Sequence, residues 1–197
     1  MINHLPKAGF RLAKIVVGGA VVVGLGAATM AYAQTKPLAV VERVELDRYL
    51  GTWYEVARKP LVFQNKCDRD VTAVYTLNEN GNIKVDNRCV MKDGKVTSSL
   101  GEAFVQNAPF NSKLKVSFLP DAVRWLPVGR GDYWVLKIDE DYQTVLVGEP
   151  RRKYLWVLSR VPHPDQHVIN EYLDYAKGLG YDLSDVIHTK QSKKAPH

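Results

Sequence analysis

The feature that most constrains the fold of this chain is a series of short segments in which apolar and polar residues alternate. The clearest pair spans residues 71–77 and 83–90, on either side of a turn-forming stretch centred on Asn80. Folding the chain about that turn places Tyr75 opposite Val85, and the two apolar faces then fall on the same side. The pattern therefore predicts an antiparallel hairpin with one buried face.

Six further segments alternate in the same way, with short links and no helical stretch between them. They span residues 52–58, 97–105, 113–118, 132–138, 144–148 and 154–160. Eight such strands in succession predict an all-β fold, which is either a sandwich or a closed up-and-down barrel. A helical period begins only after Asp165 and ends near Gly180, so we expect one α-helix packed on the outside of the sheet.

The N-terminal 33 residues have the pattern of a secretory signal peptide. A basic start is followed by an apolar run over residues 15–28 and by the small-x-small sequence Ala31-Tyr32-Ala33. The alternative is a membrane anchor, because residues 15–33 carry no charge. Cleavage after Ala33 would leave Gln34 as the first residue, and the remainder suits one domain.

We expect four segments in all: a signal peptide over 1–33, a lead-in over 34–47, a barrel with its helix over 48–190, and a flexible tail over 191–197. No cysteine precedes Cys67. The prediction is therefore an exported protein of the periplasm, free or associated with the outer membrane, without an acyl anchor.

Charge and cysteine content narrow the class of protein further. The whole chain has a net charge of +6, and three of its basic residues lie in the signal segment, which leaves too little positive charge for a nucleic-acid-binding protein. The two cysteines, Cys67 and Cys89, are expected to form a disulfide, because the envelope is oxidising. The alternative is a pair of free buried thiols.

Three motifs, in order along the chain, resemble those of the lipocalin family. The sequence Gly51-Thr52-Trp53 resembles the Gly-x-Trp signature that opens the barrel, Gly131-Asp132-Tyr133 is similar to the second motif, and Leu158-Ser159-Arg160 is similar to the third. The resemblance is closest to the branch of bacterial outer-membrane lipocalins and apolipoprotein D. It implies an all-β, eight-stranded antiparallel up-and-down barrel with a C-terminal α-helix outside, and a role in carrying lipid-like ligands.

Closure of such a barrel brings its first and last strands together. The first strand then leaves the end at which the last strand arrives, so Trp53 and Arg160 are predicted to meet there. A guanidinium over an indole contributes about 1–2 kcal/mol in a partly dry site. We therefore expect these two residues to clamp the floor of the barrel, although Trp53 could also be ordinary core.

We predict the pocket lining from the inward positions of the strands. On the last strand the register is unresolved: either Trp156 and Leu158 or Leu155 and Val157 point inward. A mostly apolar lining with a few polar groups is typical of a small-molecule cavity, and the alternative is a filled core. The predicted lining is Trp53, Glu55, Ala57, Ala73, Tyr75, Val85, Asn87, Val116, Phe118, Trp134, Leu136, Val145, Val147, Trp156 and Leu158.

Strand direction places loops 59–70, 91–96, 119–131 and 149–153 at the open mouth, where basic residues outnumber acidic ones. The floor loops carry the opposite excess, so we expect an anionic ligand or an anionic membrane surface to approach the mouth. Apolar side chains in the same loops suggest either a surface that contacts lipid or the lining of an entrance. The predicted mouth residues are Phe63, Arg124, Trp125, Arg130 and Arg152.

The sequence offers little material for catalysis. None of its five histidines lies on the eight predicted strands, and it holds no common hydrolase, phosphate-binding or Cys-x-x-Cys motif. We therefore expect a carrier of fatty acids or lysophospholipids that serves membrane maintenance, with no cofactor, no metal and no enzymatic activity. The alternatives are a lipid-modifying enzyme and a protein-interaction module, and a homodimer is a further alternative to the monomer.

Overall fold

The computed structural model describes residues 37–192. The strands are β1 (Gly51–Arg58), β2 (Cys67–Leu77), β3 (Ile83–Met91), β4 (Val96–Val105), β5 (Lys113–Ser117), β6 (Gly131–Ile138), β7 (Thr144–Gly148), β8 (Leu155–Ser159) and β9 (Ile187–His188). The helices are α1 (Leu46–Tyr49), α2 (Asp121–Arg124) and α3 (Gln166–Gly178), and a 3-10 turn covers Val62–Gln64. No helix within this described range is long and apolar enough to span a bilayer.

Strands β1 to β8 form a closed antiparallel up-and-down barrel, which confirms the predicted fold class. Each strand pairs with the next, and β1 pairs with both β2 and β8 to close the barrel. The predicted hairpin is confirmed in its register, because Tyr75 lies opposite Val85 in the β2–β3 ladder. The predicted disulfide is also confirmed, and it joins Cys67 at the start of β2 to Cys89 on β3.

Helix α3 packs on the outside of the barrel, as its single apolar face predicts. The side chain of Asp165 accepts a hydrogen bond from the His167 amide and caps the N-terminus of the helix. Ile169, Tyr172 and Ala176 on the buried face of α3 belong to an apolar cluster with the outward side chains of the neighbouring strands. The helix therefore covers one wall and leaves the interior to the strands.

Because of two β-bulges, the residues that point into the barrel differ from the predicted ones. The β6–β7 register is shifted between Val135 and Lys137, so Val135 takes the inward position and Leu136 points outward beneath α3. Trp134 lies on the same outer face, where it packs against the α3 cluster. A second register shift between Glu55 and Ala57 likewise turns Ala57 outward. Leu136, Trp134 and Ala57 therefore do not line the interior, because one extra residue reverses the alternation of a strand.

The segment after α3 returns to the barrel. Strand β9 pairs with β1, and the backbone amide of Thr189 donates to the Val56 carbonyl. At the first residue of the predicted tail, the Gln191 side chain donates to the carbonyls of Glu55 and Val71 at 2.8 and 2.9 Å. The C-terminal segment is thus held between β1 and β2. Residues 193–197 and the predicted signal peptide lie outside the described residues.

Candidate ligand site inside the barrel

The floor of the barrel is closed by Trp53 and Arg160. Trp53 is fully buried, and the guanidinium carbon of Arg160 lies 3.8 Å from the centroid of its ring. The Trp53 indole N–H donates to the Tyr49 carbonyl at 2.8 Å. The contact expected between the first and last strands is therefore present, and it ties α1 to the barrel.

The guanidinium of Arg160 is also surrounded by backbone acceptors. Its Nη2 atom is 2.7 Å from the Arg48 carbonyl and 2.9 Å from the Leu50 carbonyl, and its Nη1 atom is 2.8 Å from the Thr52 carbonyl. Its Nε atom donates to the Tyr142 carbonyl. The bonds to Arg48 and Leu50 satisfy carbonyls at the C-terminal end of α1 that have no intrahelical partner, and the other two tie Arg160 to β1 and to the β6–β7 loop.

A layer of three tyrosines lies inside the barrel near this floor. The Tyr133 hydroxyl is 2.7 Å from the Tyr49 hydroxyl and 3.1 Å from the Tyr75 hydroxyl. Burial raises the pKa of all three hydroxyls, and that of Tyr75 reaches about 12. The cavity that they line with neighbouring apolar side chains measures only about 10 Å³. The interior next to the floor is therefore occupied by protein side chains.

The inner wall of the barrel is mostly apolar. Nine of the predicted lining residues belong to the interior cluster or pack against it: Trp53, Ala73, Tyr75, Val85, Val116, Val145, Val147, Trp156 and Leu158. The register of β8 is settled in favour of Trp156 and Leu158, since Leu155 and Val157 lie in the outer cluster. Tyr133, Val135 and Leu114 also line the interior and were missed. Taking Tyr133 as an inward position and applying the alternation of a strand predicts both Tyr133 and Val135.

Two further predicted residues, Asn87 and Phe118, occupy inner-face positions. Asn87 lies between Ala73 and Ser99 in the sheet, and its buried Oδ1 atom has no hydrogen-bond partner. The Phe118 ring lies against Gly101, where an added Cβ atom would be 2.7 Å from it. Gly101 thus makes room for an aromatic ring at a point where any larger residue would collide.

Two charged side chains are buried at the mouth end of β1. Glu55 is 3% exposed and Arg58 is 7% exposed, and the Arg58 Nε atom lies 3.2 Å from Glu55 Oε1. The Glu55 carboxylate also accepts hydrogen bonds from Gln64 Nε2 and Thr189 Oγ1, both at 2.6 Å. Burial raises the pKa of Glu55, and these donors and the Arg58 charge oppose that rise. Arg58 was not among the predicted site residues.

Comparison with known proteins identifies the family. A family model described as a lipocalin-like domain matches residues 44–191, which include all eight barrel strands and α3. The chain belongs to the lipocalin family. Lipocalins bind small hydrophobic ligands, and the apolar interior described above is the part of this lipocalin that matches such a role.

Individual relatives support the same assignment. The chain is 40% identical to temperature-induced lipocalin-1 of Arabidopsis thaliana, over 83% of this chain and 88% of that protein. It is 37% identical to the outer membrane lipoprotein Blc of Escherichia coli strain K12, over 78% and 83% of the two chains. Among solved structures, insecticyanin from Manduca sexta has a TM-score of 0.62 at 21% identity, covering 81% of this chain and 87% of that one. The resemblance to the bacterial branch is thus confirmed.

The mouth of the lipocalin differs from its predicted form. Phe63 is 84% exposed in the 3-10 turn, whereas Arg124 and Trp125 line a groove of about 550 Å³ on the outer face of β3 and β4. The Arg130 guanidinium stacks on the outward ring of Phe104.

The other arginines of the mouth loops bind loop and helix backbone. Arg124 pairs with Asp121 and donates to the carbonyl oxygens of Leu119 and Leu100. The Arg152 Nε atom donates to the Leu179 carbonyl at the end of α3. The guanidiniums of Arg124, Arg130 and Arg152 thus contact backbone carbonyls or an aromatic ring, and their place at the entrance stays a prediction. Within residues 37–192, no three His, Cys, Asp or Glu side chains are grouped as metal ligands.

Proposed function

We propose that this lipocalin is a carrier of the cell envelope, which stores or transports fatty acids or lysophospholipids for membrane maintenance. The observation that carries the proposal is the amphiphilic interior, in which an apolar wall leads up to one buried charged pair, Glu55 and Arg58. An acyl chain matches such a wall, and a polar end group matches the charged end. The similarity to an outer membrane lipoprotein supports a place in the envelope.

In this proposal the tyrosine layer limits how deeply a ligand can enter. The hydroxyls of Tyr49, Tyr75 and Tyr133 bond to each other, and the space beside them holds about one water molecule. An acyl chain therefore extends from the mouth along Ala73, Val147 and Trp156 and stops above the tyrosines. Affinity should then rise with chain length and reach a plateau.

The test is displacement of a fluorescent fatty acid by saturated fatty acids of increasing length. Each added methylene that is buried contributes up to about 0.8 kcal/mol, or roughly fourfold in affinity, until the barrel is full. Ala73→Trp narrows the interior and should weaken long chains by more than about tenfold. Val74→Trp adds the same ring on the outer face of the same strand and should change little. Affinity that ignores chain length in the wild type would contradict the carrier proposal.

We also propose that the mouth contacts a lipid surface through its exposed apolar residues. Val62 and Phe63 are 76% and 84% exposed in the 3-10 turn, next to the exposed Lys66. Large exposed apolar side chains beside basic residues are typical of an interface with anionic lipid.

This contact can be measured by sedimentation with vesicles that contain phosphatidylglycerol. The double substitution Val62→Ser and Phe63→Ser should lower the bound fraction several-fold, because it removes the apolar anchor. Leu77 is 54% exposed at the floor end of β2, so Leu77→Ser is the matched control and should have no effect. Equal losses for the two variants would refute contact through the mouth.

A further inference from the structure

The Arg58 side chain points into the barrel because of the bulge in β1. Ala57 is paired with Val157 and faces outward, so the next residue, Arg58, faces inward beside its pairing partner Trp156. Its side chain is only 8% exposed although it lies at the open end of the barrel. Arg58 is thus a cation placed at the top of an apolar interior.

The neighbouring carboxylate does not depend on Arg58 for its hydrogen bonds. Glu55 Oε1 accepts from the Thr189 hydroxyl, and Glu55 Oε2 accepts from the Gln64 amide, both at 2.6 Å. Each oxygen therefore has a short bond to a neutral donor. The contact with Arg58 is an ion pair, with 3.2 Å between Arg58 Nε and Glu55 Oε1, and it lowers the pKa of Glu55 in addition to these two bonds.

Arg58 itself makes few hydrogen bonds within residues 37–192. A guanidinium has five N–H donors, and in the described structure only Nη1 makes a hydrogen bond, to the Lys59 carbonyl at 3.3 Å. The Nε atom is buried without a hydrogen-bond partner, although it lies close to Glu55. Buried donors without partners are rare and costly, and they mark positions where a missing acceptor is expected.

We propose that Arg58 binds the anionic end group of the lipid ligand, a carboxylate or a phosphate, inside the mouth of the barrel. The inference rests on the proposed carrier function and specifies its ligand class. The planar fork of a guanidinium matches two oxygens of either group. The ligand then lies with its charged end at Arg58 and its acyl chain pointing toward the tyrosine layer.

Lys59 provides a matched control for this role. It is also 7% exposed, but it faces the opposite side of β1, where its ammonium group pairs with Asp185 and donates to the Asp182 carbonyl. Arg58→Met and Lys59→Met each remove one buried positive charge from adjacent positions. Only the first change removes it from the interior.

The experiment compares hexadecanoate with hexadecanol, which has the same chain without the charge, as competitors for a neutral fluorescent lipid probe. Wild-type protein should bind hexadecanoate more tightly than the alcohol. Arg58→Met should weaken hexadecanoate by roughly 10- to 100-fold, the usual effect of losing charge-assisted hydrogen bonds, and should change hexadecanol less than about twofold. Lys59→Met should leave both affinities unchanged. A second pair, palmitoyl lysophosphatidic acid and monopalmitoylglycerol, shows whether phosphate is accepted as well as carboxylate.

Several outcomes would overturn the proposal. One is equal binding of hexadecanoate and hexadecanol by the wild type, and another is an equal loss of both in Arg58→Met. In either case the carrier function stands if affinity still rises with chain length, so the two failures are distinguishable. Should Arg58→Met fail to fold, Arg58→Lys keeps the charge without the fork. It should weaken hexadecanoate several-fold and spare the alcohol, and an unchanged hexadecanoate affinity would count against the proposal.

Discussion

Arg160 at the floor stacks on Trp53, and Arg58 at the mouth pairs with Glu55. The two guanidiniums differ in how many hydrogen bonds they donate to the protein. Arg160 donates from Nε, Nη1 and Nη2 to backbone carbonyls and also covers the Trp53 ring. Arg58 makes one hydrogen bond and one ionic contact. The floor is thus complete without a ligand, whereas the mouth end holds donors that protein groups leave unused.

Other polar atoms show the same difference between the two ends. In the described residues, the buried side-chain atoms without a hydrogen-bond partner are Arg58 Nε, Asn87 Oδ1, Arg130 Nε and Gln191 Oε1. None of them belongs to the floor residues that surround Trp53 and Arg160. Of these atoms, Arg58 Nε and Asn87 Oδ1 lie at inner-face positions, where a bound ligand would supply a partner, whereas the Arg130 guanidinium is turned outside the barrel.

The largest expected effect of this difference is on stability. Arg160→Met should lower the free energy of unfolding by about 2 kcal/mol or more, because it removes the ring stacking and leaves several carbonyls without donors. Arg58→Met should cost less at a pH low enough to keep Glu55 protonated, since no buried carboxylate is then left without its cation. Urea unfolding of the two variants measures both values. Ligand preference should be unchanged in Arg160→Met.

The comparison fails if the two substitutions destabilise the protein equally, because the floor would then have no special structural role. It is also contradicted if Arg160→Met alters ligand preference at unchanged stability, which would make Arg160 a ligand contact. The conservative variant Arg160→Lys sharpens the result. It keeps the charge near Trp53 but has fewer donors for the carbonyls, so an intermediate loss is expected.

The topology could be predicted from the sequence because it depends on alternation and turn residues. The pairing of Tyr75 with Val85 follows directly from the position of Asn80, and the meeting of Trp53 with Arg160 follows from strand direction alone. Both arguments need only the order and polarity of the strands. They do not depend on where a strand has an extra residue.

The parts of the site that were misplaced depend on features without a local sequence signature. The bulges near Leu136 and Ala57 each reverse the alternation of inward and outward side chains. No residue type at those positions predicts a bulge. Arg58 was overlooked for the same reason, since its inward direction follows from the bulge. The order of Gln191 depends on hydrogen bonds to β1 and β2, which are distant in sequence.

The smallest effect that separates the two ends is the response of stability to pH. The titratable groups buried at the floor are tyrosines, and burial raises the pKa of Tyr75 to about 12, so the floor does not titrate in acid or at neutral pH. The carboxyl group at the mouth is Glu55, and burial raises its pKa above the ordinary value of 4.5. Floor and mouth should therefore be distinguishable by pH alone.

The sign of the Glu55 effect follows from proton linkage. Its folded-state pKa is raised, so between the unfolded and the folded pKa the native state binds more protons than the unfolded chain does. The resulting stabilisation is fully present below about pH 4.5 and is lost as the pH rises through the raised folded-state pKa. Glu55→Gln cannot titrate, so its unfolding free energy should rise relative to that of the wild type across the same interval. Urea unfolding of both proteins from about pH 4 to pH 8 measures this difference. A constant offset would reflect only the altered bonds to Thr189 and Gln64, and a difference of the opposite slope would show that Arg58 and the two donors outweigh burial at this carboxyl group.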